Sequence, residues 1–266
     1  GGGIVNRILS IAWAVWLEMI RRKDLYVLLI LLLALLFVLM SLNVFGLGAV
    51  VRYVADVGLL FAWIFSIVLS VSMAARHLPQ EEAKGTIYPL LAKPVTRAEL
   101  IVGKWLGTWT APAVATMLFY AGIFSMVLLR GGTFDRTCLA QALFLHVIVL
   151  SCVSAISLAF STRMTYGAAA SMAYVFIGAA FMITPRVPEL VVQEKGVSVN
   201  VLLALYYGLP HFELFDLRQR LVHDWGPVSW SVVFQVAVYG VVWTAILLLL
   251  AWMSFRKKRF QRGSPA

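Results

Sequence analysis

The sequence predicts an all-α integral membrane protein with six transmembrane helices. Its mean hydropathy is +0.90 and only 13% of its residues are charged, whereas about a quarter of the residues of a soluble domain are charged. The apolar residues also come in long runs, and a helix needs about 20 mostly apolar residues to cross the hydrocarbon core. Six such segments can be read, at 25–47, 55–75, 100–129, 138–161, 165–184 and 229–254. We therefore interpret residues 1–266 as a single transmembrane domain.

Residues 4–22 precede the first span and have the pattern of an amphipathic helix. At about 100° per residue, the apolar face holds Val5, Ile8, Leu9, Ala12, Trp13, Val15, Trp16, Met19 and Ile20. The polar face holds Asn6, Arg7, Ser10, Glu18, Arg21 and Arg22, with Ile11 and Leu17 as apolar exceptions. Such a helix lies in the membrane interface, with its tryptophans at headgroup depth. We expect an interfacial helix on the cytoplasmic leaflet; the alternative is a leader without a fixed position.

The third apolar segment, 100–129, is longer than a span requires. Its 30 residues would form a helix of about 45 Å, against a hydrocarbon core of about 30 Å. Lys104 lies near its start, and Trp105 and Trp109 follow closely. We expect this helix to begin in the cytoplasm and to enter the bilayer near Trp105, so that it would transmit force across the membrane.

Residues 185–228 form the one long segment on the outer side. Their apolar run, VSVNVLLALYYG, is too short to cross and is followed by Leu209 and Pro210. An apolar run of about 10–14 residues is more often re-entrant or interfacial than spanning. We expect a short dipping helix, a break at Gly208–Pro210 and an amphipathic helix over 211–225 on the outer surface.

Positive charges predict the orientation. With both termini inside, 15 of the 22 Lys and Arg residues lie on the cytoplasmic side. The outer set is Arg52, Arg130, Arg136, Arg186, Lys195, Arg218 and Arg220. Cytoplasmic loops carry the excess of Lys and Arg, so both termini are predicted to be cytoplasmic. The net charge of +10 then indicates contact with anionic lipid headgroups rather than nucleic-acid binding.

The fifth segment contains many small residues. Gly167 and Ser171 are four residues apart, as are Tyr174 and Gly178, so one face lets another backbone approach closely. Packing is the ordinary explanation, and the sequence leaves open whether the partner lies in this chain or in a second copy.

Motifs of catalysis are missing. The Gly103–Lys104 pair is followed by Trp105, and Ala98 stands where a phosphate-binding loop needs glycine. The four histidines stand alone, so no metal-ligand cluster and no catalytic residue is predicted. His146 is the one ionisable side chain deep inside a span, which makes it the intramembrane polar candidate. A neutral histidine that hydrogen-bonds a neighbouring helix is the preferred interpretation.

The connection 78–99 between the second and third spans is more than a turn. Pro79 is expected to begin a short helix whose first turn holds Glu81 and Glu82. An apolar patch, IYPLLA, follows Gly85 and Thr86, and the sequence Thr96-x-x-Glu99 has the spacing of a capping box that would start the next helix. A solvated loop does not need that patch, so we expect this segment to dock on another protein.

The stretch EEAKGTIYPLLAKPVTRAELIVGKW resembles the signature of ABC-2-type exporter permeases. The similarity extends to the architecture: an N-terminal interfacial helix, six spans and an outer element before the last span. The resemblance implies that the chain binds no cofactor itself, and that a separate ABC ATP-binding subunit carries ATP and Mg²⁺. It also implies a second permease copy, either identical or a related half. The coupling residues that it implies are Glu81, Glu82, Gly85, Thr86, Pro94, Arg97 and Glu99.

The resulting hypothesis is the membrane subunit of an ATP-driven exporter in the inner membrane of a bacterium. A membrane-embedded lipid-modifying enzyme is one alternative, but it would need carboxylates or histidines that converge at one interface. A structural scaffold is the other, and the coupling segment argues against it. The sequence leaves open the cargo, the direction of transport and whether the permease is a homodimer.

Overall fold

The computed structural model of the protein describes residues 2–41, 47–83, 95–193 and 197–257. Every regular element in these ranges is helical, which confirms the predicted all-α class. The α-helices are α1 (Gly2–Arg22), α2 (Asp24–Ser41), α3 (Leu47–Ala83), α4 (Arg97–Leu129), α5 (Arg136–Ser161), α6 (Tyr166–Ile183), α7 (Val187–Gln193), α8 (Val197–Gly208), α9 (Arg218–Val222) and α10 (Trp230–Arg256). Two short 3₁₀ turns lie at Thr184–Arg186 and Phe212–Phe215.

Six helices in the described ranges are long and apolar enough to cross a membrane, as predicted. They are Gly3–Arg22, Val51–Ala83, Arg97–Leu129, Arg136–Ser161, Tyr166–Val192 and Trp230–Arg256. This set includes α1, which the sequence predicts to be interfacial. The first predicted span is represented by the shorter apolar stretch Tyr26–Val38 of α2, and residues 42–46 lie outside the described ranges. The interfacial position of α1 stays a prediction.

The long helices alternate in direction and give the bundle two ends. We call the basic end the one where α3, α5 and α10 finish and α4 and α6 begin. There, Arg97 of α4 and Arg163 after α5 both contact the last turn of α10. We call the other the far end. At it, Gln141 of α5 and Val228 before α10 exchange two hydrogen bonds through the glutamine amide group.

Helix α5 lies at the centre of the bundle and packs against α3, α4, α6 and α10. All ten residues from 149 to 158 are buried, and half of them are Ser, Cys or Ala. A helix that is buried all round must let its neighbours approach on every side, which small residues allow. At the α10 contact, a Cβ on Gly240 would come within 2.6 Å of Ile148 Cγ2.

The proline inside α4 is compensated by a neighbouring helix. Pro112 has no N–H, so the carbonyl of Thr108, four residues earlier, loses its helical donor. Ser154 of α5 donates its hydroxyl hydrogen to that carbonyl at 2.9 Å. A buried polar group without a partner costs free energy, so this bond both permits the proline and fixes α5 against α4.

Pro79 does not begin a new helix, and this sequence prediction is wrong. Helix α3 continues through Pro79 to Ala83, so Glu81 and Glu82 lie in its last turn and not in a first turn. The reason is tertiary: Leu78 is fully buried, and Glu81 forms a salt bridge with Lys104 of α4. These contacts hold the helix together where proline removes one backbone hydrogen bond.

The apolar face of α1 is divided between the bundle and its outside. Ile11, Ala12, Val15 and Met19 are buried, although Ile11 is an exception on the predicted polar face. Val5, Leu9, Trp13 and Ile20 belong to the predicted apolar face and stay exposed. Helix α1 therefore packs against α4 with one apolar stripe and presents a second one outwards. The sequence predicted a single apolar face instead.

Residues 211–225 of the predicted outer segment pack onto the bundle as short pieces. Instead of the single amphipathic helix expected over 211–225, a 3₁₀ turn at Phe212–Phe215 precedes α9. Asp216 breaks the helix because its carboxylate accepts hydrogen bonds from the backbone N–H and the guanidinium of Arg218. Phe212, Phe215 and Leu221 are buried in the core. The break after Gly208 is present as predicted, while the depth of α8 in a membrane stays a prediction.

Candidate functional site

The two described ends of the predicted coupling segment, residues 78–83 and 95–99, lie at the basic end of the bundle. Glu81 and Glu82 are in the last turn of α3, and Arg97 and Glu99 are in the first turn of α4. Gly85, Thr86 and Pro94 lie outside the described residues. The structure thus brings together four of the seven residues that the sequence indicates, from both sides of the connection.

The capping box at the start of α4 is present. The backbone N–H of Glu99 donates to Thr96 Oγ1 at 3.2 Å, and the backbone N–H of Thr96 donates to Glu99 Oε2 at 2.7 Å. This exchange satisfies two amides at the helix start. The other oxygen of Glu99 accepts a hydrogen bond from Arg7 of α1 at 3.0 Å. Because Glu99 is buried, it fixes the start of α4 and ties α1 to α4.

A largely buried ion pair joins the end of α3 to α4. The ammonium group of Lys104 contacts a carboxylate oxygen of Glu81, and the two side chains are 6% and 19% exposed. Glu82 is the next residue, and it lines an open groove rather than this pair. The two neighbouring acids therefore have different surroundings: Glu81 faces α4, and Glu82 faces the groove.

The groove lies between the end of α3 and the turn that joins α5 to α6. Its volume is about 560 Å³. The lining residues are Pro79, Gln80, Glu82, Ala83, Arg163, Met164, Thr165 and Tyr166. It is open, and it carries both an acidic and a basic side chain. Its position beside the predicted coupling segment makes it part of the candidate site.

Two arginines cap the C-terminal end of α10 by hydrogen bonds to its last carbonyl groups. Arg97 donates to the carbonyl oxygens of Phe255 and Arg256 at 2.9 and 2.8 Å, and Arg163 donates to the carbonyl of Ser254 at 3.1 Å. The last carbonyls of a helix have no partner within it and carry partial negative charge. Arg97 thus links the predicted coupling segment to the final span.

Helix α1 makes a further polar contact with α3. Glu18 lies 3.3 Å from Nδ1 of the buried His77 and 3.5 Å from Arg22 in its own helix. Together with Arg7–Glu99, this contact fastens α1 at both of its ends to the helices that flank the coupling segment.

His146 is fully buried at the centre of the bundle. Its Nε2 lies 2.7 Å from Ser66 Oγ of α3, and its Nδ1 lies 3.2 Å from the hydroxyl of Tyr120 in α4. Its ring stacks on Trp63, with a centroid separation of 4.3 Å. Both ring nitrogens therefore have partners on other helices, which agrees with the interpretation of a hydrogen-bonded structural histidine.

The small-residue positions of α6 face away from the described core. A Cβ added at Gly167 or at Gly178 would meet no atom within 4 Å, and Ser171 is exposed. The buried positions are Ala169, Ala173, Ile177 and Ala180. The close packing that the sequence suggested at the glycines therefore does not occur within the part of the chain that is described.

Gly103 and Gly107 are structural residues that the sequence reasoning missed. A Cβ on Gly103 would lie 2.8 Å from Ile11 Cβ, and one on Gly107 would lie 2.6 Å from Val15 Cβ. These glycines form the surface on which α1 crosses α4. Their separation of four residues was the available signal, because it places both on one helix face.

The described residues contain no group of three or more His, Cys, Asp or Glu side chains that could hold a metal ion. The site consists of ion pairs, caps and one open groove.

A sequence model of a known family matches residues 10–260 of the chain, and that family is described as ABC-2 family transporter protein. No curated protein matches the chain. The match covers the bundle and both sides of the basic end. The chain therefore belongs to the ABC-2 transporter family and is a membrane permease of an ABC transporter.

Proposed function

We propose that this permease is the membrane half of an ATP-driven exporter whose ATP is hydrolysed by a separate subunit. The basic end, around residues 78–99 and the groove beside them, is the surface on which that subunit docks. ATP and Mg²⁺ belong to the partner. The permease works with a second permease subunit in the cytoplasmic membrane of a bacterium, with its basic end in the cytoplasm.

One observation supports this proposal: partly buried contacts lead from the described ends of the predicted coupling segment to α4, α1 and α10. Glu81 contacts α4, Glu99 contacts α1, and Arg97 contacts the end of α10. Interiors are close-packed and transmit strain. A displacement of the segment by the partner would therefore move α1, α4 and α10 together.

Charge reversal of Glu82 tests the docking surface. Glu82 lines the groove, and Glu81 faces Lys104 of α4 instead. We expect Glu82→Lys to reduce co-purification with the ATP-binding subunit by about tenfold or more, since loss of one partner of a buried interfacial charge pair typically costs about 2–5 kcal/mol. Glu189→Lys, an exposed acid at the far end, is the matched control and should leave co-purification unchanged. Equal recovery of the subunit with both variants would contradict docking at the groove.

Replacement of Gly85 by valine tests coupling separately from docking. We expect the complex to form and to hydrolyse ATP, but transport to be lost, because a β-branched residue would restrict the kink that the Gly85–Thr86 pair is predicted to permit. The isolated permease should hydrolyse no ATP, since its sequence has no phosphate-binding loop. Normal transport by Gly85→Val would contradict the assigned role of that glycine.

A further inference from the structure

A cavity of about 460 Å³ opens at the far end of the bundle, at the opposite end from the coupling site. It lies between the start of α3, the turn that joins α4 to α5, and the end of α9. The lining residues are Val51, Arg52, Ala55, Val127, Arg130, Gly131, Gly132, Thr133, Phe134, Leu221, Val222 and Asp224.

The walls of this cavity are divided by polarity. Ala55, Val127, Leu221 and Val222 are buried and form an apolar floor. Arg52, Arg130 and Asp224 are exposed at the rim. Two guanidinium groups and one carboxylate leave the lining with one net positive charge. A ligand that fits has an apolar part, and a polar part with one net negative charge.

The backbone fixes the shape of the cavity. Gly131 has φ of +74° and Asp224 has φ of +55°, which are left-handed conformations in two of the segments that line the cavity. A Cβ on Gly132 would lie 2.5 Å from Val51 Cγ1 and 2.8 Å from Val127 Cγ1. The turn therefore packs directly on α3 and α4, and it holds Arg130 close to the start of α3.

The cavity lies at the ends of the long apolar helices, which is the level expected of lipid headgroups. Arg130 follows the last residue of α4, and Arg52 lies near the start of α3, so both cations stand where the apolar helices end. Arginine binds phosphate groups through two parallel N–H donors. An apolar floor below such cations is suited to the glycerol and acyl part of a phospholipid.

We propose that this cavity binds the phosphate ester of an anionic phospholipid from the leaflet at the far end. Arg52 and Arg130 hold the phosphate, and the floor contacts the apolar part. The carboxylate of Asp224 opposes anions and limits the site to headgroups of low negative charge. The assignment does not depend on the ATP-binding subunit.

Thermal unfolding of the purified full chain in detergent tests the site. The probes are short-chain phosphatidylglycerol, phosphatidylcholine of the same chain length, and inorganic phosphate. We expect phosphatidylglycerol to raise the midpoint temperature of unfolding, and the other two probes to have little effect on it. Removal of both cations in Arg52→Gln/Arg130→Gln should weaken the apparent affinity about tenfold or more, because hydrogen bonds to charged groups are the strong ones. Arg136→Gln is the matched control: this arginine is exposed at the same end and outside the cavity.

Asp224→Asn should change the affinity in the opposite direction to the arginine variants. Asparagine tolerates the left-handed backbone that residue 224 adopts, so this variant removes one negative charge without strain. It should bind phosphatidylglycerol more tightly than the unaltered chain. Thr133→Trp keeps every charge and fills the rim, and it should weaken binding even if the double arginine variant fails to fold.

The outcomes separate the possible ligands. If inorganic phosphate stabilised the chain and phosphatidylglycerol did not, the assignment to a phospholipid would be wrong, because the apolar floor would contribute nothing to binding. Equal stabilisation by phosphatidylcholine would overturn the requirement for net negative charge. An unchanged affinity in Thr133→Trp together with Asp224→Asn would overturn the site.

Discussion

At the scale of single residues, the basic end depends on charges that are withdrawn from water and paired. Lys104 and Glu81 are mostly buried, although they lie 23 residues apart in the sequence. Removal of one partner leaves a buried charge without compensation, which typically costs about 3–5 kcal/mol. An exposed pair contributes only about 0–1 kcal/mol. The pair is therefore the residue-level contact that holds the end of α3 against α4.

A double-mutant cycle on this pair measures its contribution. Glu81→Lys and Lys104→Glu should each lower the free energy of unfolding by about 3 kcal/mol or more, measured by denaturation of the purified permease in detergent. The combined variant exchanges the two charges and should recover most of the loss. Arg22→Gln removes one partner of the half-exposed pair with Glu18 and should change stability by about 1 kcal/mol or less. Additive losses in the combined variant would contradict a direct interaction.

At the scale of elements, the crossing of α1 over α4 fixes the N-terminal helix to the bundle. Gly103 and Gly107 let the backbone of α1 approach, and Trp16 of α1 donates its indole N–H to Thr110 at 2.9 Å. Glu18 and Arg7 then fasten the two ends of the helix. Helix α1 is thus a fixed part of the bundle, and not a loosely held surface helix.

Enlargement of Gly107 tests this crossing. A Cβ at this position would lie 2.6 Å from Val15 Cβ and 2.9 Å from the carbonyl oxygen of Ala12. Gly107→Val should therefore displace α1 and lower the free energy of unfolding by about 1–3 kcal/mol or more through overpacking. The loss should be measurable as a lower midpoint temperature of unfolding and as faster proteolysis within α1. Gly178→Val is the matched control, since it is also helical and has no atom within 4 Å. Equal behaviour of the two variants would show that α1 does not rest on Gly107.

The elements also show which predictions a sequence can support. The capping box of Thr96 and Glu99 was predicted because it depends on neighbours three residues apart. The helix start proposed at Pro79 was wrong because α3 is held through Ala83 by contacts with other helices. The role of Gly103 and the pairing of Lys104 depend on which helix faces which. Periodicity within one segment does not contain that information.

At the scale of the whole molecule, the chain is a bundle with two chemically different ends. The cations that the sequence predicts to be cytoplasmic include Arg97, Lys104 and Arg163, and these gather at the basic end. Arg52 and Arg130 lie together around the cavity at the far end. Apolar length predicted the class and the count of six long apolar helices in the described ranges, because it depends on composition along the chain, although α1, predicted to be interfacial, is one of the six. The coupling site at the basic end and the cavity at the far end both depend on how the helices pack. The sequence indicated part of the coupling site and did not indicate the cavity.

Chemical labelling in intact cells tests the predicted orientation. Cysteines introduced at Gly85 and Gly263 should be protected from an impermeant thiol reagent added outside, because the side with more positive charge is predicted to face the cytoplasm. A cysteine at Gly196 should react. Both native cysteines are buried and provide a low background. Labelling at Gly85 from outside would contradict the predicted topology.

Site-specific photo-crosslinking in the assembled complex tests the central claim most directly, namely that a separate ATP-binding subunit docks on the basic end. A crosslinker at Ala83, which is exposed beside the groove, should capture that subunit. The same group at Thr133, exposed at the far end, should not capture it. Capture from Thr133, or none from Ala83 in a complex that hydrolyses ATP, would contradict docking at the basic end.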